Sequence, residues 1–171
     1  MARNKRRAVR NINTTENERV YATIKQPPRS VIVHPSPTTG VAVAWRSPVA
    51  GDVTVWGRVV DADPNCGNGV VWRIEQRSGA AVKTVADGVM ENAGASDIAS
   101  ESQPFGPLSV MAGDMLLLAI EPRGDYSCDS TVVDLRVASV ADPSKTWRLT
   151  DDVLVDPLLS RSRLQQSQRF H

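Results

Sequence analysis

The chain is poor in the residues from which most catalytic and metal sites are built. Its 171 residues include two histidines and two cysteines, and neither pair falls in a recognised ligand spacing. There is no Cys-x-x-Cys, His-Glu-x-x-His, Gly-x-Ser-x-Gly or glycine-rich phosphate loop, so zinc, triad hydrolysis and nucleotide chemistry find no support. No apolar run approaches the ~20 residues of a bilayer-spanning helix, and no membrane partner is expected. A net charge of +1 removes any whole-chain electrostatic argument for nucleic acid. His34 stands alone before Pro35 and reads as a structural residue, because a catalytic base needs partners around it. No catalytic residue is assigned, and no enzyme activity is expected. Aromatic residues make up only 5%, which makes the placement of each tryptophan informative.

What the chain does have is β-forming sequence. Short runs rich in Val, Ile, Thr and Trp cover residues 29–34, 41–46, 52–60, 69–76, 81–85, 108–110, 115–121 and 131–140. Pro, Gly and Asp clusters separate them, and no amphipathic helix intervenes. The expectation is an all-β fold: an antiparallel jelly-roll-like β-sandwich of about eight strands. Residues 20–156 would form it. Residues 1–19 read as a flexible basic arm, with Arg3, Lys5, Arg6, Arg7 and Arg10, and residues 157–171 as a polar tail. Residues 20–24 suggest a further edge strand, and 145–149 a last one.

Alternation within the strands separates core from surface. Val53, Val55, Gly57 and Val59 share one side, as do Val70, Trp72 and Ile74, and Thr131, Val133, Leu135 and Val137. These read as core. The opposite sides carry Trp56, Arg58, Arg73, Glu75, Asp134 and Arg136. An exposed tryptophan beside fixed polar groups suits a sugar, whose C–H face stacks on the ring while its hydroxyls take hydrogen bonds. Trp56, Arg58, Arg73, Glu75 and Asp134 are therefore the candidate ligand-binding residues. The competing reading is that a loop or the tail covers Trp56.

Two polar loops carry the cysteines. Cys66 lies in Asp63-Pro-Asn-Cys-Gly-Asn-Gly69 and Cys128 in Gly124-Asp-Tyr-Ser-Cys-Asp129. They suit a disulfide between neighbouring loops; two free thiols are the alternative, since sequence does not fix the Cα separation. The same loops hold Asp61, Asp63, Asn65 and Asp129, oxygen donors that would bind a structural calcium, the one cofactor considered. Asp and Asn are also ordinary turn residues.

The stretches Val31-Ile-Val-His34-Pro-Ser-Pro37 and Val41-Ala-Val-Ala-Trp45-Arg-Ser-Pro48, then Asp61-Ala-Asp-Pro-Asn-Cys66-Gly-Asn-Gly-Val-Val-Trp72, carry a likeness. Asp125-Tyr-Ser-Cys128-Asp129-Ser-Thr-Val-Val-Asp134-Leu135 and Thr146-Trp147-Arg-Leu149 extend it to about residues 29–156. Together they resemble accessory β-sandwich modules of large exported planctomycete-type proteins that also carry cytochrome c-like segments. The resemblance implies an exported setting, favours a Cys66–Cys128 disulfide and transfers no catalytic residue. After Val155 the polar tail departs from the pattern. Arg6-Arg7 is followed by no apolar segment, so the export signal is expected outside residues 1–171.

The leading functional expectation is a non-catalytic, carbohydrate-binding-like accessory module. A structural or protein-docking module that meets other domains of a parent protein stands second. A capsid-like jelly roll with a nucleic-acid-binding arm ranks below both.

Overall fold

Runs of β-branched residues set the strands, and glycine, proline and Asx residues end them. A computed structural model of the chain describes residues 9–148, in which all regular structure is β. The strands in chain order are β1 (Val9–Asn13), β2 (Arg19–Tyr21), β3 (Ile24–Gln26), β4 (Ser30–His34), β5 (Val41–Arg46), β6 (Gly51–Asp61) and β7 (Val70–Ser78). They continue with β8 (Ala81–Met90), β9 (Ala95–Ala99), β10 (Phe105–Val110), β11 (Met115–Pro122), β12 (Thr131–Ser139) and β13 (Thr146–Arg148). The larger sheet runs β1-β4-β12-β6-β10, with β13 against β12 and β9 against β6; the smaller runs β5-β11-β7-β8. β2 and β3 form a separate two-stranded ribbon.

The two sheets share one core, as the alternation requires. Val53, Val55, Val59, Val133, Leu135 and Val137 from the larger sheet meet Trp45, Leu116, Leu118, Ile120, Val70, Trp72 and Ile74 from the smaller one. Each such side chain, once buried, stabilises the fold by roughly 1.5–3 kcal/mol before conformational entropy is counted against it. The antiparallel all-β sandwich expected from the pattern is present; its two sheets hold eleven of the thirteen strands among the described residues, in place of about eight. Hairpin chemistry is local: Ser78 pairs with Ala81, and Gly79 supplies the positive φ of +56° that a two-residue loop demands.

One boundary needs correcting. Residues 9–13, expected in the flexible arm, form β1 and pair along the whole of β4. Asn13, fully buried, ties the end of β1 to the following loop, its side-chain amide donating to the Asn17 and Pro27 carbonyls at 2.8 and 2.9 Å. Residues 1–8, and the expectations for 149–156 and the 157–171 tail, lie outside the described residues.

β12 is the strand that builds the outer surface of the larger sheet. It pairs with β6 along its full length, and its other edge is shared between β4 and β13. Trp147 of β13 packs toward the core, its ring centroid 5.3 Å from that of Trp45. Strand alternation therefore turns Arg148, the next residue, to the outer face.

Candidate functional site

Trp45 and Trp72 are buried in the core, and Trp147 is partly buried against it. Trp56 points the other way and lies half-buried on the outer face of the larger sheet. Its cross-strand partner is Arg136, whose own partner on the next strand is Arg148. One step along the same face, Arg58 stands opposite Asp134 on one side and Asp97 of β9 on the other. Directly paired residues have Cβ atoms about 5 Å apart, so the cationic groups lie within side-chain reach of the indole.

Asp134 organises this surface. Its two oxygens accept a bidentate pair from Arg148, at 2.9 Å from Nε and 3.3 Å from Nη2. Arg136 Nε lies 3.6 Å from Asp134 Oδ2, close enough for charge attraction but too far for a hydrogen bond. Arg58 Nε sits 3.2 Å from Asp97 Oδ1. The Trp72 indole N–H donates to Ser96 Oγ at 2.9 Å; that of Trp56 has no partner among the described residues. The result is an outward face on which strand register places guanidinium groups around the Trp56 ring.

The sequence-derived set does not assemble into one site. Trp56, Arg58 and Asp134 share this face, whereas Arg73 and Glu75 of β7 lie on the outer face of the smaller sheet, across the sandwich. The reason is that β6 and β12 belong to one sheet and β7 to the other. There Arg73 donates to both oxygens of Glu121, at 2.9 and 2.6 Å. Glu75 accepts from Arg73 at 3.3 Å and from Arg77 at 2.9 Å. Burial would lower the Arg73 pKa, but Glu121 and Glu75 outweigh it and hold the guanidinium above its ordinary value. Its arginines and glutamates pair with one another, and among the described residues no aromatic residue stands beside them on that face.

The calcium set also needs correcting. Cys66 and Cys128 are joined by a disulfide with a Cα–Cα distance of 5.5 Å, which clamps their loops together at one end of the sandwich. Asp61 caps that end: one carboxylate oxygen accepts the Asp63 amide at 2.8 Å and the other the Ala93 amide at 2.7 Å. Asn65 is exposed. Among the described residues, no group of three or more His, Cys, Asp or Glu side chains is arranged to hold a metal ion. Asp61 thus serves the loop backbone, and Asp61, Asp63 and Asp129 do not form a metal-holding group among the described residues.

Two carboxylates are left awkwardly at this end. Asp63 and Asp129 are buried, and Asp63 Oδ1 and Asp129 Oδ2 have no hydrogen-bond partner among the described residues. Burial, reinforced by the charges of Asp125 and Asp61, pushes the Asp129 carboxyl up to about 7. His34 Nδ1 lies 3.3 Å from Ser130 Oγ, and burial pulls its pKa down against the opposing charge of Asp63. Ser130 is only 4% exposed, which shuts its hydroxyl away from a substrate carbonyl; the three residues do not form a hydrolytic triad.

No family model, curated protein or solved structure matches this chain. Two of the residues on the Trp56 face were not singled out from sequence. Arg148 could have been found from the Trp147-Arg148 dipeptide, since one of two consecutive strand residues must face outward. Asp97 could not, because Ala95–Ala99 carries too few β-branched residues to announce a strand.

Proposed function

We propose that this chain is a non-catalytic β-sandwich module that binds carbohydrate on the outer face of its larger sheet. The observation that carries this reading is Trp56, an aromatic ring turned outward and flanked by Arg136 and Arg58. A pyranose stacked on the indole would bury its C–H face there and meet guanidinium and indole N–H donors with its ring substituents. Among the described residues the charged ladder on the opposite face offers no ring for stacking, which favours this face over that one.

The reading accords with an exported accessory module of the kind the sequence resembles. A disulfide fits an oxidising compartment, and no helix among the described residues is long and apolar enough to cross a membrane. The test is a glycan-array and insoluble-polysaccharide screen on the non-reduced chain. Saturable binding that Trp56→Ala removes supports the proposal; binding that the variant retains places the ligand elsewhere and refutes the site.

A second reading draws on Val82 and Val89, which are 58% and 44% exposed on the edge strand β8. An apolar edge suits β-strand addition by a partner protein. Concentration-dependent association that Val82→Lys abolishes, with no glycan affinity, supports docking instead.

A further inference from the structure

The charges around Trp56 say what kind of sugar the face suits. We infer that the glycan is acidic, its carboxylate or sulfate groups held by Arg136 and Arg58 beside the stacked ring; this rests on the carbohydrate reading above. Three guanidinium groups, from Arg58, Arg136 and Arg148, stand on the face near the indole against two carboxylates, Asp134 and Asp97. Asp134 is already engaged by Arg148 through both oxygens. Asp52 also faces outward on β6, but four residues from Trp56, or about 13 Å along the strand. Asp97 pairs with Arg58 and Asp134 with Arg148, so among the described residues the three guanidinium groups exceed the two carboxylates beside the ring by one positive charge.

Hydrogen-bonding capacity points the same way. Arg136 and Arg58 contact their carboxylates at 3.6 and 3.2 Å with side chains 39% and 59% exposed. Neither guanidinium donates a hydrogen bond to a described residue. Each offers a planar fork of N–H donors, the geometry that grips a carboxylate or sulfate in bidentate fashion. A neutral sugar would use single hydroxyl contacts and leave most of those donors to water. The two arginines also lie on different sides of Trp56, one across the strand and one along it, so acidic groups on successive residues of a polymer would be met in turn.

The experiment is affinity electrophoresis of the full, non-reduced chain in gels containing polygalacturonate, a sulfated galactan or a neutral galactan, at low salt and at 0.5 M salt. The expected result is retardation by acidic polymers only, relieved by salt and lost in Trp56→Ala. Arg136→Gln and Arg58→Gln should each weaken it about tenfold, while Lys83→Gln, on the edge strand of the other sheet, leaves it unchanged. The carboxylate and sulfate gels decide which acid is preferred. Far-UV circular dichroism and thermal unfolding confirm that each variant is folded. Equal retardation by the neutral and acidic galactans, still dependent on Trp56, overturns the acidic inference and leaves the carbohydrate reading standing. Polyanion retardation insensitive to Trp56→Ala, or no retardation in any gel, overturns both.

Discussion

Removing the Cys66–Cys128 disulfide should lower stability without disassembling the fold. The two cysteines are 62 residues apart, and closing a loop of that length removes about 14 cal/mol/K of entropy from the unfolded chain, or about 4 kcal/mol at 25 °C. In the native state the loops stay joined by other means. Ala62 N donates to the Ser130 carbonyl at 2.8 Å. Asn68 and Arg123 exchange side-chain-to-carbonyl bonds at 2.7 and 3.0 Å. The loss therefore falls mainly on the unfolded ensemble. Unfolding entropy near 2.1 cal/mol/K per residue gives ~0.3 kcal/mol/K for a domain of this size, so Cys66→Ser/Cys128→Ser should lower Tm by about 14 °C. Scanning calorimetry measures this directly, and reductant should reproduce the shift in the parent chain but not in the variant. A fall of less than about 4 °C would refute the reasoning, because it would mean that the unfolded chain is already compact across that loop. Loss of the native circular dichroism spectrum would refute it in the opposite sense.

Three further outcomes follow from the same structure. Asp129 carries a folded-state pKa of about 7 against an ordinary carboxylate value of 3.8, so the native state keeps a proton that the unfolded chain gives up. Its contribution is full below pH 4 and is lost as pH rises through 7; the urea midpoint of the parent should fall relative to Asp129→Asn across that window and run level above it. Leu118, fully buried between the sheets, should cost roughly 2–5 kcal/mol on replacement by alanine, read from the same urea transitions. A Cβ on Gly57 would sit 2.2 Å from the Asp134 carbonyl oxygen, a backbone contact that only movement of β12 relieves. Gly57→Ala should destabilise by about 1–3 kcal/mol and weaken glycan binding, although no residue of the proposed site has changed.

The core was legible because period-two alternation is a direct imprint of burial on one face. Val53, Val55 and Val59, like Val70, Trp72 and Ile74, fall in the core as their spacing requires. The same rule turned Trp56 outward. What alternation does not encode is which strands are neighbours. Arg73 and Arg58 carry the same outward parity in their own strands, yet one belongs to the smaller sheet and the other to the larger, so a surface drawn from both was split in two. Strands held by pairing more than by apolar content were also hidden. β1 is anchored through Asn13, and β9 rests on its pairing with β6; neither needs a hydrophobic stripe. The Asp and Asn residues of the cysteine loops read as ligands or as turn formers, and spacing does not show what the structure does for Asp61, that its two oxygens accept backbone amides.

The most direct test of the carbohydrate face is amide and indole chemical-shift mapping of the isotopically labelled chain during titration with an acidic oligosaccharide. The Trp56 indole N–H should move most, together with the backbone of β6, β12 and β13 around Arg58, Arg136 and Arg148. Shifts centred on Arg73, Glu75 and Glu121 of the smaller sheet, or none at saturating sugar, would contradict it.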